Sequence, residues 1–510
     1  MKIIRRISVL LLTAVVTVAV HASDTPSAGK VLKMTGTVMV KLPGADEAVP
    51  ATVGMMIPEG SEITTGDASQ LMLKAHDGIV ASQEANSTVL VEQLNVSDSG
   101  VRNTLLNLKS GNLVSNLDPT KKNFNNYGVR TPKGVAAARG TSFSVGVGTN
   151  QSFSVVATAD SVTFTTPTGS FNIVAGNITF TPAGGGEPVS MALSEATGAN
   201  SPIAAQVSAV MDQAVNAISA ALTTEGSGLG GDGAVNLISQ VVGVASAAEP
   251  TKAAQFTTTA VTAATASNSS TAGSASVAAA ITTSAASGAG AANAGAVAQA
   301  AAAAAPAAQA GAVAAAATAG QPAAATAIAQ GVSTAQKGEA ATVAAAVTAA
   351  VVSSTTATTA QKATAAVSVA AAAATGSGAT AAQAGAIAAV VTQVASNAGV
   401  TVSNSGMNAA VATAVQTTTG VTTSSANIQA ASNTATQSGA TATTLTTAAA
   451  AVSTANTAVQ TVNANVQTVI APVTTTTTTN PTTQQTTTTT TTTTPITPID
   501  PSVVSPSGGQ

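Results

Sequence analysis

Apolar and polar residues alternate along the first part of the chain. Between residues 23 and 200, short runs such as 143–145 and 162–164 place apolar side chains at alternate positions. This period buries one face of a β-strand and leaves the other in water. Because turn signals separate the runs, the pattern predicts a mainly β domain over 23–200, built as an antiparallel sandwich, barrel or solenoid.

The dipeptide Asp77-Gly78 lies between two of these runs, 70–74 and 79–81. Glycine adopts positive φ without steric cost, so Asp-Gly between apolar runs is a strong hairpin signal. The sequence therefore predicts a β-hairpin that turns at these two residues.

A helical pattern begins at Asn200-Ser201-Pro202, where Ser201 is predicted to be an N-cap and Pro202 the first helical residue. Apolar residues then recur at helical spacing as far as Gly226, which predicts an amphipathic helix that packs on another element. The stripe consists of Ile203, Val207, Val210, Met211, Ile218 and Leu222. Residues 235–244 are predicted to form a second helix.

A short element recurs further along, at 293–298, 309–314 and 383–388. Each copy contains Ala-Gly-Ala followed by Val or Ile, and Pro306 and Pro322 punctuate the region. The pattern indicates a repeated turn-helix unit, but its spacing is not the fixed period that defines a solenoid.

The whole segment 201–470 is a low-complexity region rich in Ala, Val and Thr. Alanine has the highest helix propensity, but it buries little area against a backbone entropy cost of roughly 1–2 kcal/mol per residue. A well-packed core is therefore not expected. A weak helical bundle or stalk, a mostly disordered chain and a membrane-inserted segment all stay open.

The two ends of the chain have their own composition. Residues 471–510 carry threonine runs and several prolines, which predicts a disordered, extended tail.

Residues 1–22 begin with positive charges, continue with an apolar run at 7–20 and end with small residues, so that cleavage is predicted after Ala22. This is the pattern of a secretory signal peptide. The run is shorter than the roughly 20 residues that span a bilayer, so cleavage is favoured over a retained anchor. We expect an exported protein, periplasmic, surface-exposed or secreted, without a stable membrane span once the signal is removed.

Composition narrows the classes of function. The chain has no cysteine, which excludes disulfides and thiolate chemistry, and its net charge is −3. Binding to nucleic acid needs clustered cations, and Lys121-Lys122 is a lone basic pair that we interpret as part of a solvated loop. No nucleic-acid partner is expected.

Few residues could support catalysis. His76 is the one histidine beyond the predicted cleavage site, and no G-x-S-x-G motif accompanies it. One histidine without cysteine argues against a soft metal site. Asp46-Glu47 and the pair Glu59 and Glu62 are interpreted as solvated loop charges. The sequence predicts a protein that is not an enzyme and has no cofactor or metal.

Several motifs follow one another in a set order between residues 30 and 180. Gly54 and residues 57–69 precede Asp77-Gly78, then Leu108 to Gly111 follow, and residues 129–145 read VRTPKGVAAARGTSFSV. This order resembles the FecR domain, a β-rich module of bacterial envelope proteins. In the closing motif, Ala159-Asp160-Ser161 stands where the family has an acidic-Gly turn.

The resemblance marks a set of signature residues, which we interpret as fold-defining rather than catalytic. Pro132 suits a strand edge, Gly140 a bulge or close backbone approach, and Phe143 a core position. Arg139 is expected to pair with a carboxylate or carbonyl of the fold rather than with an anionic ligand. The full set is Gly60, Thr65, Gly66, Asp77, Gly78, Gly111, Thr131, Pro132, Arg139, Gly140, Thr141 and Phe143.

The resemblance implies protein interaction or sensing at the envelope. Classical members regulate a sigma factor through a cytoplasmic N-terminal domain, whereas only residues 1–6 precede the apolar run here. A direct anti-sigma role is therefore not expected. The leading hypothesis is a non-catalytic exported protein. In this hypothesis the β domain binds another envelope protein or a surface component, in a sensing or signalling role. The alternative is an adhesin or matrix protein in which the Ala/Thr-rich extension is the working part. The oligomeric state stays open.

Overall fold

The computed structural model describes residues 25–148, 152–182, 186–267 and 271–469. The predicted signal peptide and the Thr/Pro-rich tail lie outside the described residues. Strands occupy the chain up to Ala192, and helices follow from Leu193 to Val469. The predicted change from a mainly β part to a helical part is confirmed, and within the described residues the second part is helical.

The strands of the described chain are short, apart from one of 16 residues. They are β1 (Thr25–Pro26), β2 (Ala28–Thr35), β3 (Val38–Lys41), β4 (Val49–Pro50), β5 (Met56–Pro58), β6 (Glu62–Thr65), β7 (Gln70–His76), β8 (Ile79–Gln83), β9 (Thr88–Val96), β10 (Arg102–Leu117), β11 (Asn125–Thr131), β12 (Gly134–Ala138), β13 (Ser142–Val147), β14 (Phe153–Ala157), β15 (Ser161–Thr166), β16 (Gly169–Val174), β17 (Asn177–Phe180) and β18 (Val189–Ala192).

Two sheets share the long strand β10. Sheet A has the order β4-β3-β6-β9-β10-β11-β12-β15-β16, with β1 beside the far end of β9. Sheet B has the order β5-β2-β7-β8-β10-β13-β14-β17-β18. Strand β10 changes sheets near Gly111, whose φ is +88°. The described pairs are antiparallel except for β10 with β11, which is parallel.

The core of the β part lies between the inner faces of the two sheets. Leu71 and Leu73 of β7 and Val145 of β13 point into it, as the period-two pattern requires. Tyr127 and Phe143 pack edge to face with ring centroids 6.0 Å apart. The Tyr127 hydroxyl is hydrogen-bonded to Ser115 Oγ at 2.8 Å, which satisfies a polar group that is fully buried.

The helices of the described chain vary in length. They are α1 (Leu193–Ala196), α2 (Ala204–Thr223), α3 (Gly231–Ala248), α4 (Ala253–Ser267), α5 (Thr271–Ala289), α6 (Ala291–Ala304), α7 (Ala310–Gly320), α8 (Ala325–Ala335), α9 (Ala340–Val352), α10 (Thr359–Ser377), α11 (Ala381–Asn397), α12 (Asn404–Thr419), α13 (Ser425–Gln437) and α14 (Ala440–Val469). None of them is both long enough and apolar enough to cross a bilayer.

The predicted start of the first long helix is wrong. Ser201 is not its N-cap: α2 begins at Ala204, because residues 201–203 form a turn in which Ala204 N donates to Ser201 O. The second helix is longer than predicted and begins at Gly231 rather than at residue 235. The apolar stripe of the first helix was located correctly, and the starts of both helices were not.

Helices α2 to α13 stack in two layers. Each helix packs on the helix two places further along, so the even-numbered helices form one layer and the odd-numbered helices form the other. Stacked helix pairs of this kind make an α-solenoid. The expectation that this region falls short of a solenoid was therefore wrong. Helix lengths from 11 to 20 residues make the sequence spacing irregular although the packing is regular.

Close approach at glycines provides the packing that large side chains usually provide. The recurring Ala-Gly-Ala element places its glycine against the next helix of the same layer, where an added Cβ would come within about 3 Å of a neighbouring atom. The pairs are Gly295 with Ala327, Gly311 with Thr342 and Gly385 with Ala431, at 2.9, 3.1 and 2.4 Å. The expectation of a poorly packed core was wrong, because alanines that meet at this short distance bury fully.

Side-chain hydrogen bonds across each layer repeat with the stacking. Gln336 Nε2 donates to Ala302 O at 2.7 Å, and Gln321 Nε2 donates to Ser287 O at 3.4 Å. The partners are 34 residues apart in both cases. One pair of helices in this part of the array therefore corresponds to one structural repeat.

The helices also cover the outer face of sheet B. Every position of β8, β13 and β14 is buried. Val80 and Val156 of this face share one apolar cluster with Met211 and Ile238 of the helices. The protein therefore has three layers at this point: sheet A, sheet B and the start of the helical array.

We predict that Gly385→Ala destabilises the array. The new Cβ would lie 2.4 Å from Ala431 Cβ and 2.7 Å from Ser432 N, so helices α11 and α13 must move apart. Overpacking of this kind costs about 1–3 kcal/mol of unfolding free energy. Thermal unfolding followed by circular dichroism at 222 nm measures the loss. Gly338→Ala is the matched control, because nothing lies within 4 Å of its added Cβ. Equal melting curves for the two variants would contradict the packing account.

The junction between the β domain and the helical array

Three segments meet where the β domain contacts the helices: the Asp77-Gly78 turn, the 3-10 turn Pro119–Lys121 and the loop between α2 and α3. Lys121 lies at the centre of this junction. Its Nζ is 2.6 Å from Asp77 Oδ2 and 3.7 Å from Asp118 Oδ2, and it donates to Gly228 O at 3.1 Å. One ammonium group therefore ties both β-domain turns to the helical array.

Glycines let the backbones approach at the junction. A Cβ on Gly228, which has φ +75°, would lie 2.2 Å from Asp77 Oδ1. A Cβ on Gly233 of α3 would lie 2.3 Å from Asp118 Oδ1, and one on Gly140 would lie 2.7 Å from Pro119 Cα. Larger residues at Gly228 and Gly233 would push the helices away from the two turns, and a larger residue at Gly140 would displace the 3-10 turn within the β domain.

Asp118 orients the 3-10 turn. Its side chain accepts from Thr120 N at 2.9 Å and from Thr120 Oγ1 at 2.7 Å, which is the usual N-cap arrangement. Its own backbone N–H donates to Gly78 O at 2.9 Å. The turn that carries Lys121 is thus fastened to the β7–β8 hairpin from within the β domain.

The pKa values of the neighbouring residues Asp77 and His76 are both lowered, but by different causes. The hydrogen bond from Lys121 lowers the pKa of Asp77, an effect that burial partly opposes. Burial lowers the pKa of His76, which favours its neutral form, and the nearby Arg102 acts in the same direction. Among the described residues, His76 Nε2 has no hydrogen-bond partner.

A second group of signature residues surrounds Ser87. Thr65 Oγ1 donates to Glu84 O at 2.5 Å and accepts from Ser87 N at 3.0 Å. A Cβ on Gly111 would lie 2.1 Å from Ser87 Oγ. Gly66 belongs to the same group, since its N–H donates to Thr37 O at 2.9 Å. These residues hold the region where β10 passes between the sheets.

The other signature residues lie apart from one another. Gly60, with φ +84°, forms a turn and donates to Val91 O at 2.8 Å. Thr131 Oγ1 accepts from the backbone N–H groups of Lys133 and Gly134, both at 3.2 Å, in the exposed turn that contains Pro132. The Thr141 hydroxyl donates to Ala159 O. Phe143 lies in the core.

Arg139 is not in the predicted environment. Its side chain is exposed, and no carboxylate or carbonyl of the described residues pairs with it. Its backbone carbonyl accepts from Asn125 Nδ2 at 3.3 Å. The expectation of a side-chain partner within the fold was therefore wrong, because the bend that follows β12 leaves this residue exposed to solvent.

Sequence reasoning missed the residues that complete the junction. Lys121 was interpreted as a solvated lysine, and the partners Gly228 and Gly233 lie more than 100 positions further along the chain. Asp118-Pro119 was a usable signal, because an aspartate before proline often caps a turn. The sequence around this turn, however, does not indicate that the turn contacts a helix.

Within the part of the chain that the structure describes, no group of three or more His, Asp and Glu side chains could hold a metal ion. The arrangement at the junction fastens one layer to another.

The comparison with known protein families agrees with the FecR resemblance inferred from the order of the motifs. Residues 61–163 match the family model described as FecR protein. The chain carries a FecR domain. The match spans the segment from β6 into β15 and includes the Asp77-Gly78 turn, the 3-10 turn and Gly140. Most of the β-domain side of the junction therefore belongs to the FecR domain.

Two crystal structures of a candidate anti-sigma factor from Parabacteroides distasonis show limited similarity. Each is 17% identical, and the match covers 26% of this chain and 59% of the other, with TM-scores of 0.23 and 0.22. The chain thus matches less than two thirds of either solved structure. No curated protein matches the chain significantly.

The departure from the FecR closing motif lies at the contact with the helices. Asp160, where the family has an acidic-Gly turn, adopts a left-handed conformation with φ +47°. Aspartate is one of the residues that tolerate this region. Its backbone N–H donates to Gln240 Oε1 of α3 at 3.1 Å. The altered turn therefore keeps the required backbone conformation and contacts the array.

We predict that Asp77→Asn makes stability less dependent on pH in acid. The lowered pKa means that Asp77 stabilises the fold above its ordinary pKa of 3.8, and that this contribution is lost as the pH falls through the lower folded value. Urea midpoints measured from about pH 6 to pH 2 should therefore fall less steeply in the variant. Asp98→Asn, in the exposed β9–β10 loop, is the control and should keep the wild-type slope. A wild-type slope in Asp77→Asn would show that the Lys121 contact contributes nothing.

Proposed function

We propose that this protein is an exported, non-catalytic envelope protein. Its FecR domain binds another envelope protein or a surface component in a sensing or signalling role. The observation that carries the proposal is the FecR match at residues 61–163, together with a junction whose polar groups are engaged in packing rather than in a catalytic arrangement. The signal-peptide pattern at 1–22 supports export.

The structure limits which FecR surface is available to a partner. Helices cover the outer face of sheet B, whereas an exposed apolar surface lies at the opposite end of the sheets. There Val49, Val53 and Met56 are 44%, 65% and 53% exposed. We call these three residues the edge patch. They lie on or between β4, at the edge of sheet A, and β5, at the edge of sheet B.

The edge patch has the properties of a contact surface for a protein. Exposed apolar side chains that are contiguous often mark interaction sites, and an edge strand offers unpaired backbone groups to an added strand. Both edge strands are short, at 2 and 3 residues, which limits uncontrolled pairing. The adhesin alternative would place the working surface on the helical array, and the family match does not favour it.

We predict that a photo-crosslinker at Val53 captures an envelope partner in cells. The side chain is 65% exposed within the edge patch, so a bound partner would lie within reach of it. The matched control is the same crosslinker at Val421, which is 59% exposed between α12 and α13. A defined adduct at Val53 alone, abolished by Met56→Asp, supports the proposal. Equal adducts at both positions, or none at Val53, would contradict it.

We predict that the mature protein lacks its first 22 residues. Signal peptidase acts after small residues, so the mature chain should begin at Ser23. N-terminal sequencing of protein from the osmotic-shock, membrane and medium fractions tests this prediction. Recovery of chains that begin at Met1 from the cytoplasm would remove export from the proposal.

A further inference from the structure

His76 lies where the two sheets and the helical array come together. It is the last residue of β7 in sheet B, and it pairs with Ile79 across the Asp77-Gly78 turn. Its imidazole is hydrogen-bonded to the backbone of Asn103, near the start of β10 in sheet A. His76 is 8% exposed. A change at this imidazole therefore acts on both sheets and on the turn that contacts Lys121.

The surroundings of the imidazole suit its neutral form. A protonated imidazole carries an N–H on both ring nitrogens, and each N–H needs an acceptor when it is buried. Nε2 of His76 is buried and has no hydrogen-bond partner among the described residues. A proton on this nitrogen would therefore be a buried donor without an acceptor, in addition to a buried charge.

Arg102 is the charged residue that acts on the imidazole from β10. Its Nη1 donates to Asp77 O at 2.8 Å, so the guanidinium holds the backbone of the turn beside His76. Because arginine keeps its charge in proteins, a second positive charge on the imidazole would repel the guanidinium. The repulsion is relieved when Arg102 moves away and releases Asp77 O.

The other charged side chains around the turn contact carboxylates. Lys74 Nζ is 3.4 Å from Asp77 Oδ1, and Lys121 Nζ is 2.6 Å from Asp77 Oδ2 and 3.7 Å from Asp118 Oδ2. Strand β8, which pairs with β7, contributes no ionisable side chain. At the contact with α3, burial raises the pKa of Asp160, so acid acts on that residue in the opposite direction and favours the closed junction.

The turn beside His76 carries the contact with the array. Asp77 binds Lys121, and Lys121 donates to Gly228 O of the α2–α3 loop at 3.1 Å. A Cβ on Gly228 would lie 2.6 Å from Gly78 N, so the loop also lies directly against the backbone of the turn. Once Arg102 releases the turn, neither its carboxylate nor its backbone is held against this loop.

We propose that protonation of His76 releases the Asp77-Gly78 turn from the α2–α3 loop, which makes the junction a switch that opens in acid. Histidine side chains change charge in the mildly acid range, and protonation of buried histidines is a known way to open an interface. The inference concerns how the two parts of the chain are held together, and it does not depend on the function proposed for the FecR domain.

The direction of the pH effect follows from the pKa of His76. Burial lowers this pKa from its ordinary value of 6.5, the hydrogen bond with Asn103 opposes the shift, and the charge of Arg102 adds to it. The contribution of His76 to the closed junction is therefore complete above pH 6.5 and is lost as the pH falls from 6.5 towards the lower folded value. Asp77 stays ionised over this range, because its own pKa is lowered from 3.8.

Hydrogen exchange of the full-length protein tests the switch. Protection factors, which compare the exchange of an amide with its intrinsic rate at the same pH, measure how often a segment opens. Between about pH 7.5 and about pH 5.5, protection in segments 118–122 and 224–231 should fall by up to about tenfold, since one proton changes an equilibrium by at most tenfold per pH unit. Helix α12, which packs on α10, α11 and α13, is the internal control and should keep its protection.

Two substitutions distinguish His76 from other titrating groups. His76→Gln is neutral at every pH, so its two segments should be equally protected in neutral and acid solution. His76→Arg carries a permanent charge, so its segments should show the low protection of the acid form at both pH values. If His76→Gln loses protection in acid as the wild type does, another group is responsible and the inference is overturned.

A second measurement needs no substitution at the junction. The chain contains two histidines, so full-length His21→Asn protein with ¹³C-labelled histidine gives one imidazole signal in NMR. Its titration midpoint should lie below 6.5, and the fall in protection should begin near pH 6.5 and end at that midpoint. A midpoint at or above 6.5, or constant protection across the range, would overturn the inference even if the His76 variants failed to fold.

Discussion

The distance of closest approach between helices governs this structure. The helical region has almost no large side chains, so it can bury surface only where backbones come close enough for alanine methyl groups to touch the opposite helix. Glycines at 295, 311 and 385 permit that approach, each against the next helix of its layer. The stacking of these helices depends on such contacts, because alanine at an ordinary helix separation would leave gaps.

The same constraint operates where the array meets the FecR domain. Gly228 and Gly233 on the helical side bring the array within reach of Lys121 and its carboxylate partners, and Gly140 leaves room for the 3-10 turn that carries Lys121. Sheet B is consequently buried on both faces over three strands, and the β domain keeps its free surface on sheet A and at the edge patch. The helical array is thus part of the architecture of the β domain rather than a loose extension.

Sequence reasoning was most successful where a residue's role depends on its immediate neighbours. The Asp77-Gly78 hairpin was identified from one dipeptide and two flanking runs, and it forms as predicted, with Gly78 at φ +78°. The stripe from Val207 to Ile218 was located correctly and is buried. The helix boundaries were less well predicted, since the turn at 201–203 competes with the proposed cap at Ser201. Arg139 and Lys121 were both assigned the wrong surroundings. The exposure of the bend after β12 and the distant glycine loop that meets Lys121 cannot be recognised from neighbouring residues.

By itself, the sequence determined the change from period-two strands to alanine-rich helices, the order of FecR motifs and the scarcity of residues suited to catalysis. These properties follow from local periodicity and residue chemistry, which short windows contain. Only the tertiary structure decided that the helices stack as a solenoid, that Lys121 joins the two parts and that α14 lies across the odd-numbered layer. Each of these depends on which backbone lies opposite a small residue. That partner is some 34 residues away within the array and 107 residues away for Lys121 and Gly228, beyond the reach of any local pattern.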